Sequence, residues 1–187
     1  MKIIRPRTFL TLLAVLVLTG SALGQPASIS WPDAVSELAR PRTKAEACAA
    51  LMKKYGDEAQ IARAQLTYAD AKADYDAVIA GLVTALSAGQ APTSLSSLQT
   101  NLKSGVSGLL EFCGMVNNLL PKTGGQKDIA LDIAKMIPLE PLLKMLSDGV
   151  SALYNNHRSD DALTRKTIQS QLEAARWPVF SEVKAAQ

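Results

Sequence analysis

The stretch MKKYGDEAQ, residues 52–60, sets a helix stop directly against a helix start, and the path of the chain here decides whether its two cysteines can meet. Lys53 and Lys54 are the cations a last helical turn favours, because its unpaired carbonyls carry partial negative charge. Gly56 suits the position just past a helix, where a left-handed backbone is common. Asp57 is a good N-cap, and Gln60, three residues on, completes a capping box. These signals predict that the chain reverses at Gly56 rather than running through it.

Cys48 and Cys113 are the only cysteines. Apolar spacing predicts a hairpin of helices 57–88 and 94–119, with its turn near residue 91, which sets Cys113 level with Ala69. On a straight helix Cys48 would then lie roughly 31 Å further along, at 1.5 Å per residue, whereas a disulfide needs Cα atoms within about 7 Å. A reversal at Gly56 returns Cys48 to the level of residue 64 and shrinks the offset to roughly 7–8 Å, which loop slack absorbs. The reversal and a Cys48–Cys113 disulfide therefore predict each other. The competing reading is two free thiols buried as small hydrophobes.

The compartment bears on that choice. The chain opens MKIIRPRTFLTLLAVLVLTGSALGQ. Lys2, Arg5 and Arg7 precede an apolar run from Phe9 to Leu18, too short for a bilayer that needs about 20 residues. Small residues Ala22 and Gly24 set a cleavage site between Gly24 and Gln25. Residues 1–24 read as a secretory signal peptide, so the mature chain is expected in the periplasm or outside the cell, where paired thiols oxidise. The leader also accounts for the basic balance. Three of the 20 Lys+Arg lie in it, and the 17 that remain equal the 17 Asp+Glu. With no net charge and no basic cluster, nucleic acid is not an expected partner, and no later apolar run is long enough to span a membrane.

Alternation is absent, alanine is abundant and apolar residues recur at three and four, which predicts an all-α chain. Within SISWPDAVSELARP, Ser30 and Asp33 can cap a short helix that Pro41 ends, and Thr43-Lys44-Ala45-Glu46 reads as the capping box of the next. Residues 25–42 thus form an N-terminal arm with a short helix, and residues 43–187 a helical bundle domain. The helix from 57 carries two stripes. Ala62, Leu66, Ala69, Ala73, Ala77 and Ala80 would let a neighbouring helix approach closely; Ile61, Tyr68, Tyr75, Ile79, Leu82 and Leu86 would fill wider gaps with the hydroxyls near water. Gly89 ends this helix and Thr93 or Ser94 caps the next. A helix over 127–137 and a long last helix over about 141–176 follow, the latter open to a break at YNNHRSD, with Trp177-Pro178 as terminator. Short turns between consecutive helices imply an up-down antiparallel bundle.

Chemistry is sparse in this sequence. His157 is the only histidine and lies in YNNHRSDD. Asn155, Asn156, His157, Asp160 and Asp161 read first as a solvated polar segment and second as a weak recognition cluster. No G-x-S-x-G turn is present, TGGQK lacks phosphate-loop spacing, and there is no C-x-x-C-H for haem. No catalytic residue, metal site or cofactor is expected, and an enzyme is not predicted. The expected role is a non-catalytic helical interaction protein, such as an adaptor, inhibitor or envelope accessory factor, meeting another envelope protein through a helical face. The alternative is a bundle carrying a small ligand or cofactor near His157 or methionines such as Met115, Met136 and Met145.

Overall fold

A computed structural model describes residues 31–88, 94–120 and 162–187. Four helices form within them: α1 (Trp31–Tyr55), α2 (Glu58–Ala88), α3 (Leu95–Leu119) and α4 (Ala162–Ala174), followed by a 3-10 turn at Phe180–Glu182. The described residues hold no strand. The leader and its Gly24–Gln25 site, the turn at 89–93, the helix expected over 127–137 and the cluster Asn155, Asn156, His157, Asp160 and Asp161 lie outside the described residues.

The reversal at Gly56 is present. α1 stops at Tyr55, and the Gly56 amide donates to the Met52 carbonyl at 2.8 Å. The capping box closes reciprocally, the Gln60 amide donating to Asp57 Oδ1 at 2.8 Å and the Asp57 amide to Gln60 Oε1 at 2.9 Å. One expectation changes, because Gly56 does not take the left-handed conformation. Glycine is needed for space instead. A Cβ there would lie 2.7 Å from the Met52 carbonyl oxygen and 2.9 Å from its sulfur. Ser94 caps α3, accepting from the Ser97 amide at 3.2 Å. Leu120, held extended before Pro121 (φ −73°, ψ 137°), ends it.

The helix expected to stop at Pro41 continues through it, so Thr43–Glu46 caps nothing. Glu46 instead pairs with Arg42 Nε at 2.8 Å on the same helix. Pro41 is buried, and tertiary contacts on both sides of it override the local stop signal.

α2 and α3 run antiparallel, with Gly81 against Leu98, Tyr75 against Gly105, Ala71 against Gly108 and Tyr68 against Phe112. Gly105 and Gly108 of α3 lie tight against α2. A Cβ on Gly105 would sit 3.0–3.2 Å from the Tyr75 amide, the Ala71 carbonyl and Tyr75 Cβ, and one on Gly108 2.7 Å from Ala71 Cβ. α1 returns alongside and packs on α3 and α4 more than on α2. Cys48 and Cys113 form a disulfide between α1 and α3, Cα atoms 5.5 Å apart, with both residues fully buried.

The two stripes of α2 behave differently from expectation. The tyrosine stripe is the buried one, together with Ala64, Ala71, Val78 and Ala85. Both hydroxyls are buried rather than near water, because each finds a carbonyl in the interior. Tyr68 donates to Pro178 at 2.9 Å and Tyr75 donates to Leu38. Ala62, Leu66, Ala69, Ala73 and Ala77 face outward and seat no described helix. The close packing assigned to them is made at Ala71.

Candidate functional site

The outward face of α2 is the site the described residues offer. Ala59, Ala62, Leu66, Ala69 and Ala73 recur at alternating steps of three and four, the spacing that keeps one seam facing a partner helix. All five are exposed, and Leu66 at 70 % is the most exposed large hydrophobic side chain among the described residues. Small side chains on both sides of Leu66 leave it as a single knob on a flat ridge, which a second helix can approach at the short end of the usual 8–10 Å. Arg63 and Asp70 flank the seam on exposed positions, so its rim carries both signs. Asp74 and Asp76 are turned toward the bundle. The Ser104 hydroxyl donates to Asp74, the Lys72 ammonium pairs with Asp76, and the Trp177 amide donates to Asp76 Oδ1 at 3.2 Å.

The opposite, inner face is rigidly set. Tyr68 contacts Phe112, Trp177 and Phe180, with ring centroids 5.1, 5.8 and 5.5 Å away. Trp177 and Phe180, beyond the last α-helix, are buried by this cluster. Their segment is strapped onto α1 by main-chain acceptors. Lys53 Nζ donates to the Ser181 carbonyl at 3.0 Å and the Val183 carbonyl at 2.5 Å, Lys54 Nζ donates to the Gln187 carbonyl at 2.8 Å, and the Ala186 amide donates to the Ala50 carbonyl at 3.1 Å. The Lys53 ammonium also lies 5.2 Å from the Phe180 ring centroid. The long α2 is therefore backed along its length by α3, α4 and the C-terminal segment, and presents its seam from a stiff support.

Burial first, and the nearby Glu46 and Asp76 carboxylates second, push the Tyr68 phenol well above its ordinary value. Burial, then Asp76, does the same for Tyr75. Both stay protonated donors, which suits structure and gives no base. Among the described residues no group of three or more His, Cys, Asp or Glu could hold a metal ion, and no helix is long and apolar enough to cross a membrane.

Of the residues singled out by sequence, the structure brings together Cys48 and Cys113. What sequence reasoning missed is the orientation of α2: the Gly105-x-x-Gly108 pair on α3 was the available signal that Ala71, and not the longer alanine row, marks the close contact. The chain matches no protein-family model, no curated protein and no solved structure.

Proposed function

We propose that this chain is an exported, non-catalytic helical interaction protein that engages an envelope protein by accepting a partner helix on the outward face of α2. The observation that carries this reading is Leu66, 70 % exposed in the middle of a row of exposed alanines. Exposed alanines favour the helix itself, and with Leu66 among them they form the kind of anchor row through which a helix-in-groove or helix-pair contact is read. The signal-peptide pattern of residues 1–24 supports export, and the Cys48–Cys113 disulfide is the bond expected of a chain that folds in an oxidising compartment. The even balance of charge in the rest of the chain favours a protein partner over nucleic acid.

The test is photo-crosslinking in the native envelope, with the crosslinker placed at Ala69 of the full chain. A discrete protein adduct that disappears in Leu66→Lys is the expected result. An adduct pattern unchanged by Leu66→Lys, or no specific adduct at all, overturns the assignment of this face.

A further inference from the structure

Pro41 lies inside α1, so the chain has no amide hydrogen to give the Glu37 carbonyl, and a proline ring in a helix interior crowds the carbonyl of the preceding turn. The structure supplies a donor at this place. The hydroxyl of Tyr75, a fully buried residue of α2, donates to the Leu38 carbonyl. On either side of Pro41 the helix is held by different means. After it, Arg42 reaches the Ala174 carbonyl at the end of α4, Cys48 is bonded to Cys113, and Ala50, Lys53 and Lys54 hold the C-terminal segment. Before it, Val35 and Leu38 pack into the core, and the Tyr75 hydroxyl is the hydrogen bond given from another described element. Among the described residues Arg40 pairs along its own helix, with Glu37 at 2.8 Å.

We infer that α1 is jointed at Pro41: residues 31–40 form an arm that opens from the core as a unit while residues 43–55 stay in place, and the Tyr75 hydroxyl is the latch that closes it. The latch ties the Leu38 carbonyl, one residue past the Glu37 carbonyl that proline leaves without a helical donor, to α2 where the ladder is weakest, so its importance depends on the proline. Opening the arm lifts Val35 and Leu38 away from the buried face of α2 without parting the disulfide or the α2–α3 pair. The joint gives the bundle a way to bare apolar surface at one end while the rest remains folded.

Native-state hydrogen exchange read by mass spectrometry on the oxidised full chain tests this, comparing wild type, Tyr75→Phe, Pro41→Ala and the double variant. In wild type, amides of residues 35–42 should exchange at least tenfold faster than those of 45–52. Tyr75→Phe should raise exchange in 35–42 a further three- to tenfold, the effect of losing one buried hydrogen bond, and leave 45–52 within twofold. In the Pro41→Ala background the same substitution should change 35–42 by no more than twofold. Two results overturn the inference: a single common exchange rate across 35–52 in wild type, or an equal response to Tyr75→Phe with and without the proline. The wild-type pattern decides the joint even where a variant fails to fold.

Discussion

The indole of Trp177 stacks on the ring of Tyr75, centroids 5.0 Å apart and planes 24° from parallel. This contact joins the segment after α4 to the middle of α2, and it places two of the largest buried side chains against each other. Removing the indole takes away that stack, the Tyr68 contact and the filling of the same space. Trp177→Ala should therefore lower unfolding free energy by about 3–5 kcal/mol, against total stabilities of about 5–15 kcal/mol for domains of this kind. Urea denaturation followed by far-ultraviolet circular dichroism measures it. A loss under about 1 kcal/mol would mean that the aromatic cluster does not hold this segment.

The disulfide closes a loop of 65 residue steps. In the chain-entropy description such a link is worth about 4 kcal/mol, by restricting the unfolded chain. Paired replacement, Cys48→Ala with Cys113→Ala, should lower the unfolding free energy measured in urea by about that amount while leaving the helical spectrum in place, since α2 and α3 pack without it. Thiol titration in denaturant should detect no free thiol before reduction and two after it.

The α2–α3 approach can be tested by moving one methyl group. Gly108→Ala drives a Cβ into Ala71 Cβ, and overpacking of this sort costs about 1–3 kcal/mol. Adding Ala71→Gly removes the struck atom, and the helix-propensity changes at the two positions offset each other. The paired variant should return to within about 1 kcal/mol of wild type. A paired variant less stable than Gly108→Ala alone would show that the glycine serves something other than this contact.

Alkaline pH should destabilise the fold in a set direction. In the unfolded chain Tyr68 and Tyr75 ionise near pH 10, while burial keeps both protonated well above that in the folded protein. The unfolded state then binds fewer protons than the folded one. Stability from these groups is complete below pH 10 and falls above it, by about 1.4 kcal/mol per pH unit for each tyrosine. Melting temperature against pH from 9 to 11.5, alongside phenolate absorbance, should show both tyrosines ionising only as the protein unfolds. Tyr75→Phe should flatten the slope.

The helix ends at Gly56 and Ser94 were legible in the sequence because their causes are local: a capping side chain and the amide it serves are three residues apart. The cysteine pairing followed from those ends by length alone. The passage of α1 through Pro41 was not legible, because the hydroxyl beside the proline comes from Tyr75, 37 residues from Leu38. Nor was the facing of α2. Both of its stripes have helical period, and the choice between them was made by Gly105 and Gly108 on a different helix, which leave room for Ala71 where a Cβ would collide. The outward seam was visible as spacing, but as an inner face; its exposure belongs to the assembled bundle.

The strap that ends in Phe180 has a consequence for the order of events as the chain is made. Tyr68 is 110 residues from the Pro178 carbonyl that receives its hydroxyl, and the rings that enclose Tyr68 come from both sides of that gap. A ribosome releasing the chain from its N-terminus delivers α1, α2 and α3 long before Trp177 and Phe180. Until those arrive, the hairpin exposes an aromatic floor with nothing on it. The enclosure of Tyr68 is therefore completed only once Trp177 and Phe180 have been released.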